Sequence, residues 1–182
     1  MVKINRHSIV ALALILLSGV YWSAQAQTCS GTTYTDKLQG SETATATPYF
    51  NPMTGGISYY GATFIGTATG SIPGSFSVAV SFEPLGTDPY TGNSIGTIMT
   101  PFSNFGLTSK QGKQSSSLSG TIDAGTVEYR LNANGTATVT KITAAQLRIT
   151  NGKGNYRRIT RGCGTLDGVL DTGFSGTLSL TF

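Results

Sequence analysis

The sequence predicts an all-β protein: an antiparallel, closed β-barrel of about eight strands. Three observations carry this. Beyond the leader no segment has a helical period, short runs alternate apolar and polar residues along most of the chain, and glycine-bearing turns separate those runs. There are also 24 glycines in 182 residues. Gly66, Gly70 and Gly176 stand inside the apolar registers of strands, where a small closed barrel needs bends and close backbone approach and a flatter sandwich needs them less.

Residues 1–26 read as a secretory signal peptide and not as fold. Lys3 and Arg6 give a basic start, Ile9 to Val20 is apolar apart from Ser18 and Gly19, and Ala24-Gln25-Ala26 supplies small residues for cleavage before Gln27. The apolar run is short for a membrane span of about 20 residues. Residues 27–182 are then one β-barrel domain by length.

The strands follow in order. One begins near Tyr34 and another near Ile57. Ala62–Ile72 sets Ala62, Phe64, Gly66, Ala68 and Gly70 against mostly threonines, and Ile72-Pro73-Gly74 turns the chain. Ser75–Glu83 puts Phe76, Val78, Val80 and Phe82 on one face. Gly86–Ser117 breaks the regularity: it is rich in Gly, Ser, Thr and Pro, has a brief apolar stretch at Ile95–Met99, and reads as a long excursion, either a rim loop or a mobile insertion. Weak strands lie around Ile95–Met99 and Leu118–Ile122. Thr126–Leu131 alternates Val127, Tyr129 and Leu131 with Glu128 and Arg130, and Asn132-Ala133-Asn134-Gly135 makes a hairpin with the strand that begins at Thr136. Asn151-Gly152-Lys153-Gly154 reads as a further turn. Asp171-Thr172-Gly173 joins Gly162–Leu170 to Phe174–Phe182, whose Phe174, Leu178, Leu180 and Phe182 share a face.

Losing the leader removes His7 and Trp22, the one histidine and the one tryptophan. Ser-His-Asp and Cys-His catalysis within one chain is thereby excluded, and so are zinc sites built on imidazole. No metal, cofactor or catalytic residue is assigned. Of the 12 Lys and Arg, Lys3 and Arg6 leave with the leader, so ten stand against eight Asp and Glu, too slight and scattered a balance for nucleic acid. Cys29 and Cys163 are an even pair in an exported chain and read as one disulfide from the mature N-terminus to a strand near the C-terminus. A reactive thiol would need an activating neighbour, and the sequence offers none.

The segment Gly152-Lys153-Gly154-Asn155-Tyr156, then Gly162-Cys163-Gly164-Thr165-Leu166-Asp167-Gly168, then Phe174–Phe182 resembles the closing strands of the allene oxide cyclase and dirigent-like barrel superfamily, with a weaker echo at Tyr60–Thr67. The resemblance covers about a quarter of the mature chain and rests on structural glycines. It implies an eight-stranded antiparallel barrel with an apolar interior, often oligomeric, in which the plant enzymes use a few polar cavity side chains to steer a reactive intermediate. Arg157 and Arg158 stand where that group has small or apolar residues, and no cavity residue carries over.

Among charged groups the densest cluster is Arg157, Arg158 and Arg161, with Lys153 and Tyr156 close by. Tyr156, Arg157, Arg158 and Arg161 are the candidate ligand-binding residues, as a rim site for an anion or carboxylate; the alternative is an exposed loop kept soluble by charge. Glu83, Glu128, Asp167 and Asp171 offer carboxylates, but glycosidase chemistry needs two that face each other at a set separation. Glu128 and Arg130 read as members of cross-strand pairs, Asp171 as a turn residue, and Asn134-Gly135-Thr136 as a hairpin turn in preference to a glycosylation site.

The functional expectation is an exported bacterial protein, periplasmic or secreted and non-catalytic, that binds a small apolar ligand or a partner surface or is purely structural, with homo-oligomers possible and no cofactor. One alternative is a cofactor-free cyclase or isomerase using the barrel cavity. Another is a small outer-membrane barrel, suggested by the terminal Phe182 and the alternation before it, though the Ala and Gly of Ala62–Gly70 suit a lipid-facing band poorly.

Overall fold

The computed structural model describes residues 29–182 apart from 53, 54, 89, 91, 112 and 113. The expected signal peptide, with His7 and Trp22, lies outside the described residues, as do Pro89 and Lys113.

The described residues form one antiparallel sheet of ten strands. They are β1 (Thr33–Ala44), β2 (Thr47–Asn51), β3 (Gly56–Gly70), β4 (Gly74–Thr87), β5 (Ser94–Ile98), β6 (Asn104–Gln111), β7 (Gln114–Leu131), β8 (Ala137–Lys153), β9 (Gly162–Leu170) and β10 (Phe174–Thr181), with one 3-10 turn at Gly154–Tyr156. The pairings return to their start: β1 joins β3, β3 joins β4, and β7, β8, β9 and β10 lead back to β1. Between β4 and β7 the place is filled twice, by β6 along Ser75–Ala79 and by β5 along Phe82–Thr87. β2 hangs on β3 alone among the strands. Eight places in a ring are thus occupied by nine strands, with β2 as a flap, which is why the expected count of about eight becomes ten.

The alternation places side chains as expected in most strands. Phe76, Val78, Val80 and Phe82 are buried, as are Ala62, Phe64, Ala68, Phe174, Leu178 and Leu180. Outward positions carry hydroxyls, and Thr33 and Thr35 of β1 meet Thr181 and Ser179 of β10 at 2.9 and 3.2 Å. Leu131 departs from its predicted face: it lies at the tip of the β7–β8 hairpin, past the reach of the core, and is 59% exposed.

Two parts of the chain differ from the sequence reading. The excursion expected over 86–117 contains two strands: β5 falls on the weak strand expected at Ile95–Met99, β6 is additional, and Ile98, Phe105 and Leu107 point into the core. In β6 the strand pattern rests on only two apolar residues among Gly, Ser, Thr and Lys, too few to outweigh a loop-like composition. The turn expected at Asn151–Gly154 starts later, because β7 is long enough to go on pairing with Asn151, Gly152 and Lys153. The hairpins at Leu131–Ala137 and Leu170–Phe174 form as expected.

The in-strand glycines serve backbone contact. Gly66 stands opposite Gly40, and a Cβ on Gly66 would strike the Gln39 carbonyl and the Gly40 Cα. Gly176 likewise stands opposite Gly168. Side chains at these points would force neighbouring strands apart.

Aromatic rings fill the inner face in two groups. Phe174 packs on Phe64 and Phe76 with centroids 4.8 and 5.7 Å apart. Tyr59, Phe82 and Tyr129 form the second group at 4.7 to 5.7 Å. Leu38, Leu107, Leu118, Ile122, Ile142 and Leu147, all at most 2% exposed, occupy the rest. One end of the ring is covered by Tyr34, Tyr156, Ile159 and Phe182 packed on this core, Tyr34 and Phe182 being stacked at 4.6 Å. At the other end Ala46, fully buried, exchanges two backbone hydrogen bonds of 2.8 Å with Ala137, so the β1–β2 connection reaches across to β8, which is not a neighbour of β1.

A strained backbone conformation lies in β8. Ala144 has φ of 50°, a left-handed value costly for a residue with a Cβ, and its N–H donates to Asp167 Oδ1 at 2.7 Å. Ala144→Gly should therefore raise stability by about 0.5–1 kcal/mol, net of the extra freedom glycine gives the unfolded chain. Urea unfolding of the two proteins checks this, and a destabilised variant would show that the strain is not relieved.

Candidate functional site

The sequence-predicted residues all fall at the end of the ring that holds the first residues of β1 and β9 and the last of β8 and β10, but they do not converge. Arg157 and Arg158 follow the 3-10 turn, are exposed, and line a cleft of about 590 Å³ with Gln114, Ser115, Gly154 and Asn155. Ser116 organises that cleft from below: its buried hydroxyl accepts from the Asn155 N–H at 3.0 Å. Arg161 opens instead on a second cleft of about 400 Å³, with Arg148, Ile149, Thr150, Thr160 and Gly162. Arg148 is committed to Asp123 at 2.6 Å. Burial of Asp123 opposes its ionisation, yet hydrogen bonds from Arg148 and Thr121 and the Arg148 charge outweigh this and hold the carboxyl below its usual range.

Tyr156 turns away from both clefts. Its ring meets Phe182 edge-on at 6.4 Å, and burial, then the charges of Asp36 and Tyr34, push its hydroxyl above the ordinary tyrosine range. At neutral pH it is a neutral phenol that caps the core and not a ligand to the arginines. The clefts offer guanidinium groups in open solvent, where single ion pairs contribute little.

Cys29 and Cys163 form a disulfide with Cα atoms 5.9 Å apart, at this same end. Such a bond is consistent with an exported protein. It pins the segment before β1, whose Thr32 exchanges backbone hydrogen bonds with Phe182 at 3.1 and 3.3 Å.

The Glu128 carboxylate has structural partners. Glu128 pairs with Lys141, its direct cross-strand neighbour, at 2.9 Å and accepts from Asn93 at 2.8 Å. The Lys141 and Asn93 hydrogen bonds hold its carboxyl below the usual range. Asp171 sits in the β9–β10 turn, its N–H donating to Gly173 O at 3.2 Å.

Two acidic residues missed from sequence lie on the inner face. Asp36, 1% exposed, accepts from the Ile72 N–H at 2.8 Å on Oδ1, while Oδ2 is buried without a partner among the described residues. Glu42 has a buried Oε1 without a partner among the described residues, and burial pushes its carboxyl upward against a hydrogen bond from the Val139 backbone. Both share parity with Leu38 along β1, the signal that could have found them. They stand six residues apart in one strand, towards opposite ends of the ring, and cannot act as an acid–base pair.

Glu42 makes a pH prediction. Its folded-state pKa is raised, so its contribution to stability is present while it is protonated and is lost as pH rises through the folded value. Glu42→Gln should therefore be more stable than the parent at about pH 7, with the advantage shrinking towards about pH 4. Paired urea titrations at the two pH values measure this. An equal gain at both would remove Glu42 as its source.

No protein-family model, characterised protein or solved structure matches the chain.

Proposed function

We propose that this chain is an exported, non-catalytic β-barrel of the allene oxide cyclase and dirigent-like type, acting through its outer surface towards a partner. The observation that carries this is the packed inner face: two groups of aromatic rings, buried aliphatic side chains, and covers at both ends. A small apolar ligand or a cyclase substrate inside the ring would have to displace buried rings worth about 1.5–3 kcal/mol each. Hydroxyl-bearing outward positions on β1 and β10 favour a surface in water over one in lipid. The disulfide agrees with an oxidising, exported setting.

The test is solvent extraction of the purified protein, followed by titration with oleic acid and incubation with an unsaturated fatty-acid epoxide. The expected result is no stoichiometric ligand, no saturable binding and no turnover. One-to-one oleate binding that perturbs the NMR signals of Leu38 and Leu118 would replace this reading with the cavity-binding one.

A further inference from the structure

Lys110, Lys153, Arg157, Arg158 and Arg161 all lie at one end of the ring, and none of them forms an ion pair among the described residues. The carboxylates lie elsewhere. Of the eight Asp and Glu, Asp36 is 1% exposed and faces inward, Asp123 is held by Arg148, and Asp167 accepts from the Ala144 N–H. Glu42, Glu83, Asp88, Glu128 and Asp171 stand towards the opposite end, in the later parts of β1, β4 and β7, just past β4, and in the β9–β10 turn. A near-balance of charge over the whole chain thus hides its separation between the two ends.

Strand register and one turn gather these cations. Ser116 of β7 is buried, so its neighbours Ser115 and Ser117 face outward. Lys110 of β6 is in register with Ser115 and Lys153 of β8 with Ser117, so both exposed lysines stand on the outer wall beside β7. The 3-10 turn then folds onto β7. Gly154 has φ of 63°, a Cβ on it would strike the Ser115 carbonyl, and the Asn155 N–H donates to Ser116 Oγ at 3.0 Å. Arg157 and Arg158 leave this turn into the cleft that Ser115 also lines. The cations therefore pass from the outer wall over the rim, and Arg161 extends the path to the second cleft, on the β8–β9 side.

This surface selects its partner by what it holds and by what it lacks. Unpaired guanidinium and ammonium groups call for anions. They open on two separate clefts, so no single small ion meets them all, and the partner carries its anions in series. A path from wall to rim fits a flexible chain better than a flat bilayer, and no exposed large apolar side chain of the described residues stands here to enter one. Nucleic-acid bases stack on exposed aromatic rings and protein interfaces anchor on them. Among the described residues this end offers no such ring, since Tyr156 is turned onto the core. Between the cations stand instead the amides and hydroxyls of Gln114, Ser115, Asn155, Thr150 and Thr160, which suit alcohol groups.

We infer that this end of the ring binds an acidic polysaccharide, a flexible polymer with carboxylates or sulfates at intervals and hydroxyls between them. Guanidinium forks hold the anionic groups, and the amides and hydroxyls of the clefts meet the sugar hydroxyls. One exposed ion pair contributes little, but several on a single chain act together. This inference rests on the outer-surface reading above and names the partner of that surface.

The test is titration of the purified protein with alginate, polygalacturonate and dextran sulfate at low and at physiological salt. Neutral dextran, polyglutamate, single-stranded DNA and phosphatidylglycerol vesicles serve as comparisons. At least one acidic polysaccharide should bind, more tightly than every comparison and less tightly as salt rises. Arg157→Ser with Arg158→Ser, and Lys110→Ser with Lys153→Ser, should each weaken binding about fivefold or more and flatten its salt dependence. Arg130→Ser removes a cation at the opposite end and should leave affinity unchanged. The substituted positions are all exposed, so the variants stay folded, which unfolding curves verify. Binding to none of the acidic polysaccharides overturns the inference while leaving the outer-surface reading intact. Equal or tighter binding to polyglutamate, DNA or the vesicles, or an equal loss on Arg130→Ser, overturns it too. Stoichiometric oleate binding in the interior would instead remove the reading on which it rests.

Discussion

Phe174→Ala should cost about 3–5 kcal/mol of folding stability, the largest effect expected of a single side chain here. The ring is 2% exposed and lies between Phe64 and Phe76. It also occupies the space above Gly168, where an added Cβ would meet the Phe174 ring and no other atom closely. That ring cannot swing aside, because two other aromatics hold it. Gly168→Ala alone is therefore also expected to be destabilising, by about 1–3 kcal/mol. The double variant Phe174→Leu with Gly168→Ala should be more stable than the sum of the single changes predicts, by about 1 kcal/mol or more, since the smaller side chain yields the space the new methyl needs. Urea unfolding of the four proteins gives the coupling. Simple additivity would mean that the ring and the glycine do not share this space.

Loss of the disulfide is the second large effect. Cys29 and Cys163 are separated by 134 residues, so the bond closes almost the whole described chain into one loop. On the chain-entropy argument its removal frees the unfolded state by about 4–5 kcal/mol. Cys29→Ser with Cys163→Ser, or the parent under reducing conditions, should show a midpoint of urea unfolding lowered accordingly. The native ring keeps its other closures, namely the β1–β10 register from Thr33 to Gly40 and the Thr32–Phe182 hydrogen bonds, so the reduced protein should still fold to the same sheet. A loss below about 1 kcal/mol would place the bond's contribution elsewhere than in the unfolded chain.

Both effects draw on features that differ in how openly the sequence carried them. The two cysteines were legible because an exported chain with one even pair has one simple arrangement. Phe174 was legible as an inward residue from alternation with Leu178 and Leu180. That its ring rests on Gly168 was not, because this depends on the register between β9 and β10, and glycine spacing alone does not set that register. The candidate rim residues illustrate the same limit. Tyr156, Arg157, Arg158 and Arg161 are close in sequence, but a 3-10 turn rotates Tyr156 into the core and sends Arg161 to a different cleft. Tyr49, Tyr60 and Phe102 are scattered over more than fifty positions and meet only because β2 folds onto β3 while the β5–β6 turn brings Phe102 against Tyr60.

By itself the sequence determined the all-β class, the inward faces of the long strands, two hairpins and the disulfide pair. These follow from local chemistry: the period of two in a strand, the conformations open to Asn and Gly in turns, and the oxidation of paired thiols. Only the tertiary structure decided that the strands pair in a ring, that β5 and β6 share one place in it, that Asp36 and Glu42 face inward, and that the interior is packed with rings. Those outcomes depend on which distant strands pair and in what register. Pairing free energy is spread over many weak cross-strand contacts, and no single stretch of residues encodes it.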